Sequence, residues 1–194
     1  MPYSRNQRQE FAAAAAAEAY AAAAAAGVEF IWKLELHRQL LLLLEDPETA
    51  VSSNAEKALA EICVTKPGIR LVFDGSFLKE LKRLAIKGSE TVCFRVLSPI
   101  IYGSIEQEEF FAALAAAAPD LLQQLQQLII KKDDPLASAT ACELITALIK
   151  CPWGLDYALD QKYPETIAGL IAEEEDVLEC QTPIRLLARM TAEG

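Results

Sequence analysis

Histidine is nearly absent from this chain, with His37 its sole copy. That leaves no His-based catalytic triad of known spacing. His37 has no Cys, Asp or second His at ligand spacing, and none of the five cysteines (Cys63, Cys93, Cys142, Cys151 and Cys180) belongs to a C-x-x-C pair. A zinc site is therefore not supported. Neither G-x-x-x-x-G-K-[ST] nor G-x-G-x-x-G occurs, so no phosphate-cradling loop is signalled. The acidic run 173–176 precedes a helix start and reads as a solvated loop that favours the helix dipole.

Long apolar runs are missing too. The longest Leu-rich stretch, Leu40–Leu44, is far too short to span a bilayer. The polar N-terminus, Met1–Glu10, lacks the apolar core and cleavage site of a secretory signal. Positive charge is in deficit: the formal net charge is −10 and the pI about 4.7, which repels phosphate backbones. These absences predict no enzyme activity, no metal or cofactor, and no nucleic-acid, membrane or small-molecule partner. An odd number of cysteines on apolar helical stretches predicts buried free thiols in a reducing compartment. The expected location is the cytoplasm, with possible nuclear access.

What the chain has in abundance is helix formers. Ala, Leu, Glu, Lys and Gln dominate its 194 residues, and 53% of them are hydrophobic, which favours an all-α fold with a sizeable core. The same apolar ladder runs through it four times, 41 to 45 residues apart. Leu40, Leu81, Leu125 and Ile167 form one rung, Leu43, Leu84, Leu128 and Leu170 the next, and Leu44, Ala85, Ile129 and Ile171 stand beside them. A second set follows: Val51, Val92, Ala137 and Leu178, then Leu59, Ile100, Ile145 and Leu186. Repetition at this period is the signature of armadillo or HEAT-type solenoids.

Each repeat reads as helix, break, helix. Asp46-Pro47 and Asp134-Pro135 supply an N-cap and a proline at the first helical position, and Gly88-Ser89 takes that role between them. The connection starting at Gly68 is echoed at Gly154, 86 residues later, with matching apolar positions. It predicts a short extra helix per unit, in the order short-long-long, which favours armadillo-like over two-helix units. Pro183 predicts a kink or a late start in the last helix.

The expected fold is a single all-α, right-handed, armadillo/HEAT-like solenoid over 1–194. Its repeats fall at about 36–77, 78–120, 121–166 and 167–194, behind an alanine-rich helix over 12–35. Phe30, Ile31 and Trp32 read as an apolar anchor, and both tryptophans as core. The early end of the last unit, with no obvious polar cap, suggests a piece of a longer solenoid or an end docked onto something.

Two stretches carry a resemblance to a known family. Pro67–Ile105, PGIRLVFDGSFLKELKRLAIKGSETVCFRVLSPIIYGSI, and Leu136–Ile171, LASATACELITALIKCPWGLDYALDQKYPETIAGLI, are similar to the proteasome non-ATPase regulatory subunit five family. The shared pattern is a G-x-x-x-(L/A) stretch, a loop, a Leu ladder and a second long helix in successive units. It spans roughly Leu36 to Ala188, although family members are considerably longer. The resemblance implies an armadillo-like chaperone of regulatory-particle base assembly that grips the C-terminal domain of a proteasomal ATPase subunit.

A partner face is expected on the last helix of each unit. Asn54, Arg95, Thr140 and Gln181 occupy one matched polar position, and Lys57, Ser98, Glu143 and Ile184 follow three residues on. Such a ladder can hydrogen-bond an extended or helical partner; equally, any amphipathic helix has a solvated polar stripe. The competing function is a generic armadillo adaptor that binds a linear peptide or helix in transport or signalling. Transport-type grooves carry repeated Trp and Asn ladders. Here Asn54 is the single asparagine at the matched position, and neither tryptophan repeats in register.

Overall fold

The structure, a computed structural model, describes residues 26–131, 134–173 and 181–193. Among them all regular structure is helical. A helical stretch over 26–33 leads into α1 (Leu36–Leu44), α2 (Thr49–Cys63), α3 (Lys66–Val72), α4 (Gly75–Lys87) and α5 (Glu90–Glu106). Then come α6 (Glu108–Ala117), α7 (Pro119–Ile129), α8 (Pro135–Leu148), α9 (Pro152–Asp160), α10 (Tyr163–Glu173) and α11 (Gln181–Glu193). The expected short-long-long order is clear in α3–α5, with 7, 13 and 17 residues, whereas α6 and α7 are nearly equal at 10 and 11 residues. Most of the alanine-rich N-terminal helix, together with Leu178 and Cys180, lies outside the described residues.

Helix starts follow local chemistry. The Asp134 carboxylate accepts from the Ala137 N–H at 2.9 Å, with Pro135 at the first helical position, as the Asp-Pro pair predicts. Ser89 caps α5 by accepting from the Val92 N–H. The pair Asp46-Pro47 behaves differently: Asp46 accepts from the Glu48 N–H at 2.8 Å in a turn, and the helix begins two residues later at Thr49. Asp46 spends its carboxylate on the turn, so no side chain caps α2. In the described part of the last helix, Gln181–Glu193, Pro183 is the third residue.

Like packs on like. Helices α2, α5, α8 and α11 pack in succession; α1, α4 and α7 do the same, and of the short helices α6 packs on α9. The ladder forms the core between these layers. Leu81, Leu84, Leu125, Ile167, Leu59, Ile100 and Ile145 are fully buried. Leu43 departs from the expectation. Its equivalents Leu84 and Leu128 are buried, yet Leu43 is 41% exposed, and Leu41 is buried instead. Leu84 has a like helix on either side, α1 and α7; for α1, α4 is the only such neighbour among the described residues.

Glycine permits one recurrent close approach. A Cβ at Gly68 would meet the Ile62 carbonyl oxygen at 1.8 Å, and one at Gly154 would meet the equivalent Leu148 oxygen at 2.2 Å. Only hydrogen lets these short helices cross the end of the preceding long helix so tightly. Aromatic rings tie the short-helix layer together: Phe73 on Phe110 at 5.3 Å, and Phe111 on Tyr157 at 5.6 Å, both edge-on.

Two expectations about aromatics need correction. Phe30 is mostly exposed and Trp32 is 40% exposed, so neither is core; Val28 is the buried residue of that stretch. Trp153 is half-buried, packs against the core and donates from Nε1 to the Ser104 carbonyl at 3.1 Å. Cys63, Cys93, Cys142 and Cys151 are buried free thiols.

Candidate partner-binding face

Because α2, α5, α8 and α11 pack side by side, matched positions on them fall on neighbouring helices. Asn54 and Lys57 on α2, Glu143 on α8 and Gln181 on α11 are exposed. Arg95, Ser98 and Thr140 are half-buried, and Ile184 is exposed.

Two of these side chains have work inside the fold. Thr140 turns back to donate to the Leu136 carbonyl of its own helix at 2.9 Å. Arg95 donates from Nη1 to the Leu44 carbonyl at 3.1 Å. Leu44 ends α1, where carbonyls lack helical partners, so Arg95 stitches one unit to the next. Its guanidinium also acts on Glu56. Burial pushes the Glu56 carboxyl above its ordinary range, and the charges of Arg95 and Lys57 oppose that rise.

The arrangement adds residues that the matched polar positions did not suggest. Tyr102 lies seven residues after Arg95 and four after Ser98, on the same stripe of α5, and is 52% exposed. Leu136 lies four residues before Thr140 on α8 and is 79% exposed. The polar ladder thus has an aromatic and an aliphatic side chain on its own stripes, a mixture typical of protein interfaces. The signal for Tyr102 was in the sequence: Glu61, Tyr102, Ala147 and Ala188 share a position, and Tyr102 is the lone aromatic among them.

The same surface offers little to small-molecule chemistry. Among the described residues, no group of three His, Cys, Asp or Glu side chains could hold a metal ion. Burial pushes the thiols of Cys93 and Cys142 up to about 11 and about 12, far from nucleophilic thiolates. Among the described residues, no helix is long and apolar enough to cross a membrane.

No family model matches the chain, and no curated protein matches it. Among solved structures, the crystal structure of an engineered protein from the Northeast Structural Genomics Consortium is similar to it. The TM-score is 0.55 at 17% identity, over 88% of this chain and 68% of that one. At that identity the likeness speaks to the fold alone, and this chain is an all-α protein.

Proposed function

We propose that the protein is a non-catalytic, armadillo/HEAT-like scaffold that binds another protein along α2, α5, α8 and α11. The observation that carries this reading is the succession of like helices, which lines up one stripe per unit on a continuous face. Asn54, Lys57, Ser98, Tyr102, Leu136 and Glu143 are the residues offered to the partner, with Gln181 at the end. Arg95 and Thr140 frame the face from within the fold.

The partner this reading favours is a proteasomal ATPase subunit, engaged through its C-terminal domain during assembly of the regulatory-particle base. Its support is the resemblance in Pro67–Ile105 and Leu136–Ile171. Affinity purification from cell lysate, with mass spectrometry of what the wild type retains and a Tyr102→Ala, Glu143→Lys variant loses, tests it. Enrichment of proteasomal ATPases supports the chaperone. Enrichment of unrelated proteins sharing a linear motif supports the adaptor reading instead. A bound set indifferent to the variant contradicts the use of this face.

A further inference from the structure

Proline, glycine and serine gather inside one helix of the binding face. Pro99 lies well inside the 17-residue α5, and Gly103 and Ser104 follow it. At the matched places α2 has Ala58, Ile62 and Cys63, and α8 has Leu144, Leu148 and, just past its end, Ile149.

Each of the three weakens the helical ladder. Pro99 has no N–H, so the Arg95 carbonyl four residues back lacks its helical donor. Glycine has the lowest helix propensity after proline. The Ser104 hydroxyl donates to the Ile101 carbonyl at 2.7 Å, a back-bond of the kind that bends helices. Proline and paired Gly and Ser are where helices characteristically kink.

The two halves of α5 are fastened to different parts of the fold. Before Pro99, Glu90 pairs with Lys131, just past α7, and Arg95 donates to the Leu44 carbonyl at the end of α1 at 3.1 Å. After it, Gly103 lies against the last residue of α2, where a Cβ would meet the Cys63 Cβ at 2.7 Å. Gln107, the C-cap of α5, donates to the Val64 carbonyl at 2.9 Å, and Trp153 of α9 donates to the Ser104 carbonyl at 3.1 Å. The first half is thus tied to α1 and α7, the second to the end of α2 and to α9. The weakened turn at Pro99 lies between these two sets of fastenings.

We propose that Pro99 is a hinge at which α5 bends, letting the short-helix side of the protein swing against the α1–α4–α7 side. A hinge needs only a few residues that absorb a backbone change between two firmly held bodies. The inference rests on the binding face proposed above and names what adjusts it. Arg95 and Ser98 stand on one side of the hinge and Tyr102 on the other, so bending alters the spacing of the side chains that meet the partner.

Hydrogen exchange of the full chain, read residue by residue by NMR, tests this with no partner present. A hinge opens locally, so amides 100–103 should exchange at least about tenfold faster than the matched amides 145–148 on α8. Pro99→Ala restores the missing N–H and should slow exchange at 100–103 by about tenfold, with 145–148 changed by less than about twofold. The wild-type comparison needs no variant, so it decides the matter if a thermal melt shows Pro99→Ala unfolded. The hinge is overturned if amides 100–103 are as protected as 145–148 in the wild type, or if a folded Pro99→Ala variant leaves their exchange unchanged. Either result leaves the binding face standing, and failure of that face to retain a partner from lysate leaves the exchange result standing.

Discussion

Arg95 reaches 51 residues back along the chain to donate a 3.1 Å hydrogen bond to the carbonyl of Leu44. The contact joins the middle of α5 to the last turn of α1, and it turns a residue of the polar ladder into a structural clamp. Gln107 and Trp153 act alike, on the carbonyls of Val64 and Ser104, and the Tyr163 hydroxyl acts on that of Leu122. Arg95, Gln107 and Trp153 each spend a side-chain donor on a carbonyl in the last turn or at the C-cap of a helix, where carbonyls lack helical partners, whereas Tyr163 adds a donor to a carbonyl in the first turn of α7.

Arg95→Ala should therefore destabilise the protein, by about 1–3 kcal/mol, the cost of a partly buried acceptor losing a charged donor. Lys57→Ala, on an exposed side chain of α2, should change stability by less than about 0.5 kcal/mol. Urea unfolding of the two variants side by side checks the contrast; equal midpoints would remove the clamp from the account.

The core ladder makes a graded prediction. Leu84→Ala and Ile145→Ala, both at fully buried positions, should each cost roughly 2–5 kcal/mol. Leu43→Ala, on the same rung as Leu84, should cost well under half as much, because much of its surface is already in water. Denaturant midpoints at constant slope provide the measurement.

Glycine gives opposite signs at two positions. Ala at Gly154 would drive a Cβ onto the Leu148 carbonyl, and fixed backbone cannot step aside, so the variant should melt well below wild type. Ala at Gly169, inside α10, meets nothing within 4 Å and should stabilise by about 0.5–1 kcal/mol through helix propensity. Calorimetry resolves both shifts.

Alkaline pH should weaken the fold. Burial raises the Cys93 thiol from 9.0 to about 11 and the Cys142 thiol to about 12. The unfolded chain releases these protons first, so their stabilising effect is complete below pH 9 and declines as pH climbs towards 11 to 12. Tyr157 and Tyr163 are raised in the same direction by burial. A melting temperature that holds steady from pH 8.5 to 11 would contradict this.

Much of the fold could be read from the sequence because helix and core leave periodic marks. The rungs at Leu81, Leu125 and Ile167 are buried, and the short third helix announced by Gly68 and Gly154 is present. What escaped depended on neighbours that no local pattern encodes. Leu43 matches its rung in sequence yet is largely open, since burial depends on what packs outside α1. Arg95 and Asn54 look alike as polar positions, and only the third dimension reveals that Leu44 ends within reach of one of them. Trp32 reads as core by type, whereas its partner His37 takes the buried place.

The central proposal, a protein-binding face along α2, α5, α8 and α11, is tested most directly by calorimetric titration of a purified proteasomal ATPase C-terminal domain. The protein would be taken as wild type and as the variant Lys57→Glu, Tyr102→Ala, Glu143→Lys. All three changes fall on exposed side chains, so the variant should keep its fold. The account predicts saturable binding by wild type at tens of micromolar or tighter, weakened at least about tenfold in the variant, a loss of about 1.4 kcal/mol or more. Absence of wild-type binding would contradict the chaperone reading, and equal binding by both proteins would contradict the face.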